Sequence, residues 1–198
     1  KMPQPITGYG AGGVWNKPGV ATTYYLIKKN GISGGNTGCT DESGNLQPIS
    51  GDKAELARRL LDNPNLKLGN SGNASTQKND IESVVTDDLV RLMVAATEQS
   101  GVKLLVNALK SDHDPVSAHE EGKAVDIGYY GNGQPTHTLE GNKMYTFLYN
   151  NRVGLKIKQL IWKYPPDGYK CVNGGNPVDC GSYGPVLDDH YHHIHVGI

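Results

Sequence analysis

The chain ends in "DDHYHHIHVGI" (188–198), which holds four of its seven histidines: His190, His192, His193 and His195. An upstream stretch, "SAHEEGKAVDI" (117–127), adds His119 and, seven residues on, Asp126. A neutral imidazole and a carboxylate are both good zinc ligands. Read as a strand, "HIHV" puts His193 and His195 on one face, with Ile194 and Val196 on the other. Alternate strand residues lie roughly 6.5–7 Å apart. Two imidazoles at that spacing can converge on one small volume, one holding a metal while the other reaches a molecule bound to it. A solvated tail or purification tag has no use for alternating apolar partners. A pH-sensing histidine patch is the other reading the spacing leaves open.

The upstream cluster is not the helical H-E-x-x-H signature, because position 123 is Lys and Gly122 argues against a helix. His119 therefore sits on a loop that enters a strand at 122–130. Along that strand Val125 and Ile127 share one face, and Ala124, Asp126 and Gly128 share the other. A carboxylate flanked by small residues has room for a ligand above it. Taken alone, the same residues also fit a surface histidine and a turn-capping aspartate.

The remaining elements must bring these clusters together. Leu56, Ala57, Leu60 and Leu61 recur at helical spacing within 52–62, and Asp52 with Glu55 resembles a capping box. A second helix is predicted over 86–100, with Thr86 as N-cap, a stripe of Leu89, Leu92, Met93 and Ala96, and Gly101 at its end. A third is predicted over 142–153. Strands are predicted at 22–29, 102–109, 155–164 and the C-terminus, with a turn at 131–135. Residues 63–80 read as a loop with a short extended piece, and 164–189 as a long Pro/Gly loop. The pattern predicts an α+β fold: a small antiparallel sheet with helices packed on one side. Residues 1–50 read as an irregular N-terminal segment packed on the core, and 51–198 as the domain that carries both clusters.

A length of 198 residues allows one sizeable core. A net charge of −1 leaves no basic excess for binding nucleic acid. No run approaches the roughly 18 apolar residues of a membrane span. The N-terminus has no apolar signal core and begins with Lys rather than Met, as expected of a mature or trimmed chain. Of the three cysteines, Cys171 and Cys180 flank a turn-rich segment and are read as a disulfide. Cys39 is then free, unless it takes one of the other two as partner. A disulfide implies an oxidising compartment and favours secretion.

The two clusters together resemble the paired motifs of a zinc peptidase superfamily. Its members include lysostaphin-type enzymes, D-Ala-D-Ala carboxypeptidases, penicillin-insensitive murein endopeptidases and the hedgehog signalling domain. The resemblance rests on "SAHEEGKAVDI" and "HYHHIHV", and extends more weakly over 52–198. It implies a hedgehog/DD-peptidase-like fold, with His119, Asp126 and His195 as ligands of a Zn2+ ion. It makes His193 the general base and His190 a further active-site histidine. The carboxypeptidase branch carries an Arg before the first motif; here Lys110 or His113 stands nearest. Ser117, Lys110, His113, Asp189 and Tyr191 are the candidate substrate-binding or supporting residues. Asp188 or Asp189 is a candidate acceptor for a ring N–H of the histidines. The tyrosines around the motifs suit the rim of a peptide or sugar cleft, with Trp162 in the core.

The resemblance implies zinc-dependent hydrolysis of stem or cross-bridge peptides of bacterial peptidoglycan. The enzyme would be a secreted, periplasmic or wall-associated monomer. Two alternatives stand beside it: an inactive zinc-containing binding module, and a disulfide-bearing secreted protein whose histidines take metal adventitiously.

Overall fold

The computed structural model describes residues 46–112, 118–128 and 138–198. The strand expected at 22–29, the turn at 131–135, Cys39, His113, Ser117, Tyr129 and Tyr130 lie outside the described residues, as does most of the N-terminal segment. The chain divides into two compact units at Thr40/Asp41, and every element below belongs to the second.

Helix α1 spans Lys53–Leu61, where Asp52 caps the first turn by accepting from the Glu55 N–H at 2.9 Å. Leu56, Ala57 and Leu60 are its buried face. Strand β1 is Leu66–Lys67, and helix α2 follows at Ala74–Asn79. A π-helical turn, Asp80–Val84, continues α2. The sequence pattern predicts loop for most of this stretch, because "NASTQKND" offers no apolar stripe. Polar contacts hold the helix instead. Asn73 accepts from the Ser75 and Thr76 N–H groups, and buried Gln77 donates to the Asn107 carbonyl at 2.9 Å.

Helix α3, Asp87–Gln99, begins at Thr86 as predicted and has Asp87 and Asp88 in its first turn, where the helix dipole favours acids. It is buried through Leu89, Val90 and every residue from Leu92 to Thr97. That is wider than the predicted stripe, so α3 runs through the middle of the core. Strand β2 is Leu104–Ala108, followed by a 3-10 turn at Lys110–Asp112; strand β3 is Ala124–Ile127. Helix α4, Leu139–Asn150, starts earlier than expected because Thr138 caps it, accepting from the Gly141 N–H at 3.0 Å.

Strand β4 is only Gln159–Ile161, because Ile157 N–H bonds back to the Arg152 carbonyl and Lys156 adopts φ 57°. The expected long loop is structured. Strands β5, Cys171–Asn173, and β6, Asn176–Val178, form a hairpin turned by Gly174 and Gly175 at φ 57° and 85°. Two positive φ values fit the tight turns whose twist matches the strands. Pro177 is tolerated in β6 because this is an edge strand. A 3-10 turn at Cys180–Tyr183, helix α5 at Val186–Asp189 and strand β7 at Ile194–Gly197 complete the chain.

The seven strands form one sheet in the order β1-β2-β3-β7-β4-β5-β6. Among the described strands only the pair β1–β2 is parallel. The fold is α+β, with five helices among the described residues and a sheet larger than the small one expected. Register gives the sheet two unlike faces. Val106, Ile127, Ile194, Val125, Val196, Leu160 and Val172 meet across strands and join α1, α3 and α4 in the core. Asp126, His195, Gln159 and Gly197 project from the other face. Among the described residues no helix is long and apolar enough to cross a membrane.

A disulfide joins Cys171 of β5 to Cys180, as the sequence suggested. The bridge ties the hairpin to the segment leading into β7. Closing so short a loop is worth about 2–3 kcal/mol through the unfolded chain. Cys180→Ser should therefore lower unfolding free energy by about that much in denaturant titrations. An unchanged midpoint would mean the bridge adds nothing in solution.

Candidate metal centre

Strand pairing sets two of the candidate ligands directly opposite one another: Asp126 on β3 faces His195 on β7. The flanking pairs, Val125 with Val196 and Ile127 with Ile194, point into the core and fix the register. A one-residue slip would bury the carboxylate among apolar side chains and expose the valines.

His119 comes from a single turn that precedes β3. The Lys123 N–H bonds the Ala118 carbonyl, and the Gly122 N–H bonds the His119 carbonyl, both at 2.9 Å. This is the Schellman pattern, with Gly122 as its left-handed residue at φ 66°. A Cβ at Gly122 would lie 3.0 Å from both the Val84 oxygen and the Val85 Cα, so glycine is required by packing as well as by φ. The turn lays His119 over the sheet, fully buried.

The three side chains meet. His119 Nε2 lies 3.3 Å from Asp126 Oδ1 and 3.3 Å from His195 Nδ1, and the last two atoms are 3.0 Å apart. Zinc bonds of about 2.1 Å in tetrahedral geometry place ligand atoms about 3.4 Å apart. The donor set of two imidazoles and one carboxylate, almost entirely buried, fits a borderline divalent cation. This group could hold a metal ion. Its electrostatics agree: burial raises the Asp126 carboxyl, but hydrogen bonds with His119 and His195 and the proximity of His193 outweigh it. The carboxyl is held well below the usual range.

His193 projects from the same side as His195, with Nε2 3.6 Å from Asp126 Oδ1, beside the trio rather than within it. Its Nδ1 is 2.8 Å from His192 Nδ1, so one of the two rings carries the shared hydrogen. His190 packs 4.7 Å from the His193 ring and 5.5 Å from the His195 ring. Its Nδ1 lies 2.7 Å from the Val186 carbonyl, which can only accept, so Nδ1 holds the hydrogen and Nε2 keeps a lone pair in the neutral ring. Burial pushes His193 down to about 4 and also lowers His190, which leaves both neutral near pH 7.

The other candidates fall around this centre. Asp188 pairs with Lys163 at 2.7 Å, and Asp189 is exposed on α5. The Val186 carbonyl instead takes the His190 ring hydrogen, and Gln159 Oε1 lies 3.3 Å from His195 Nε2. Tyr191 is exposed and stacks on His192 at 4.5 Å. Lys110 is exposed on the 3-10 turn after β2. Trp162 is core, packed 5.8 Å from Tyr145.

Three supporting residues carry no clear mark in the sequence. Gln159 is one. Asp80, fully buried, accepts from the Ser111 N–H and hydroxyl at 2.9 and 2.6 Å and anchors the chain ahead of 113–117. Asn107 packs against Gly128, where any Cβ would come within 2.4 Å of its Oδ1. The glycine two residues after Asp126 is the one available signal of a close approach there. Comparison of the chain with protein-family models, curated proteins and solved structures returns no match.

Proposed function

We propose that this chain is a zinc-dependent peptidase that hydrolyses peptide bonds of bacterial peptidoglycan. The observation that carries the reading is the convergence of His119, Asp126 and His195 to 3.0–3.3 Å with two neutral histidines alongside. Three protein ligands suit a catalytic zinc, whereas structural sites are closed by four. Zinc held there would supply a Lewis acid that polarises the scissile carbonyl and acidifies water.

The chain's own residues supply the rest. With its hydrogen on Nδ1 toward His192, His193 presents the Nε2 lone pair to the centre. It takes a proton from the attacking water and returns it to the leaving amine. His190 Nε2 accepts a hydrogen bond from water or substrate. The exposed ring of Tyr191 offers a flat surface to the substrate backbone or a sugar. The disulfide suits a secreted, periplasmic or wall-associated enzyme. Within this reading the fold is of the hedgehog/DD-peptidase type, and the enzyme acts as a monomer.

Metal analysis with an activity assay is the test. Purified protein should carry about one zinc per chain and release free amines from purified peptidoglycan. A chelator should abolish release, and added zinc should restore it. Stoichiometric zinc with no amine release would favour an inactive binding module. Sub-stoichiometric metal in protein never exposed to chelator would leave only adventitious binding.

A further inference from the structure

Histidine ligates through Nδ1 only when the ring hydrogen is on Nε2. His195 turns Nδ1 toward Asp126 and His119, and turns Nε2 toward Gln159 Oε1 at 3.3 Å. We propose that Gln159 is a positioning residue whose amide oxygen accepts the His195 Nε2 hydrogen and so keeps Nδ1 open for the metal. This rests on the metal-centre reading and adds the group that sets the His195 tautomer.

The backbone explains how a glutamine reaches that nitrogen. On β4, Gln159 stands opposite Gly197, while His195 stands opposite Ile161. The Gln159 side chain lies across the bare glycine. A Cβ at position 197 would come 3.1 Å from Gln159 Oε1 and 3.3 Å from its Cβ. Gly197 thus clears the space in which the amide turns toward His195. Gln159 also borders a cleft of about 370 Å³ shared with Ala118, Lys123, Lys158, Asn173 and Gly197. A substitution at 159 therefore changes a cleft wall and not the packed core.

The amide has two orientations with opposite consequences. With oxygen toward the ring, the hydrogen stays on Nε2 and Nδ1 can bind metal. With nitrogen toward the ring, the hydrogen moves to Nδ1, donates to Asp126 and competes with the cation. Glutamate offers acceptors only, and leucine offers neither donor nor acceptor. The pair Gln159→Glu and Gln159→Leu thus separates hydrogen bonding from packing.

The test uses the full chain. Proton and nitrogen-15 NMR of the imidazoles in zinc-loaded protein reports the His195 Nε2–H directly, whereas in metal-free protein the Asp126 carboxylate competes for the same hydrogen at Nδ1. A slowly exchanging, hydrogen-bonded Nε2–H is expected in the wild type and in Gln159→Glu, and a fast-exchanging one in Gln159→Leu. Chelator competition should show Gln159→Leu holding zinc about 10–100-fold more weakly, and Gln159→Glu at least as tightly as wild type. An Nε2–H that exchanges as fast in the wild type as in Gln159→Leu, or wild-type zinc affinity in Gln159→Leu, overturns the proposal. A wild type that binds no zinc sinks the metal reading itself, an outcome distinct from zinc binding that Gln159→Leu leaves unchanged.

Discussion

Asp126→Asn is expected to abolish the stoichiometric zinc binding proposed above and, with it, the heat resistance such binding would give the protein. The carboxylate is the only negative charge in the trio. Without it a divalent ion would sit buried between two neutral imidazoles and an amide, with its charge uncompensated. The cost in affinity should exceed the roughly 10–100-fold typical of losing an outer-sphere partner. At zinc a thousandfold above its dissociation constant, the wild type gains about 4 kcal/mol from binding. In a chain of this length that is roughly 8–16 °C in melting temperature. The variant should gain almost none of it. In chelator the comparison changes: the carboxylate, 4% exposed, is held ionised by His119, His195 and His193, so asparagine, with nearly the shape of aspartate, loses that stabilisation alone. Without metal the variant should melt modestly below the wild type, by less than the zinc-dependent rise. Calorimetry with zinc and with chelator gives all four values. An equal zinc-induced rise in both proteins would mean that the metal binds elsewhere.

That prediction uses three residues that the sequence groups only through the resemblance of its two motifs; what local pattern adds is the face that two of them take. The period of a strand is two, so Ile194 and Val196 between the histidines, and Val125 and Ile127 around Asp126, announce which face each polar side chain must take. Local pattern also marks α1 and α3, whose caps and apolar positions are all nearby in sequence. What it cannot supply is anything held by distant partners. Helix α2 has no apolar stripe; Gln77 secures it through the backbone of Asn107 on β2. Pro177 disguises β6, since only the sheet order shows that its strand lies at an edge. Gln159 looks like one more polar residue until register sets it beside Gly197. The aspartates next to the histidines are the obvious acceptors for ring hydrogens, but Asp188 turns to Lys163 and a glutamine from another strand takes the place beside His195. Sequence proximity is a poor guide to such partners, because strand pairing brings nearer groups from far along the chain.

His193→Ala should lower kcat on peptidoglycan by about 10²–10⁴-fold while zinc content and zinc affinity stay at wild-type values. The split follows from the geometry. His193 Nε2 is 3.6 Å from Asp126 Oδ1, outside the set whose atoms lie 3.0–3.3 Å apart, so its loss removes no ligand. Neighbouring Ile194 keeps its place opposite Ile127 in the core, so the register that positions His195 is undisturbed. What disappears is the lone pair able to take a proton from water and hand it to the leaving amine. His190 packs 4.7 Å from the His193 ring and keeps an Nε2 lone pair in its neutral form, so it is the group that could carry residual turnover. His190→Ala in the His193→Ala background should then remove what activity remains, with a loss smaller than the product of the single effects if both act on one proton. Metal analysis of each variant keeps the interpretation clean. Loss of zinc in His193→Ala would make it a ligand and not a base, and full activity with zinc in place would leave the proton transfer to another group.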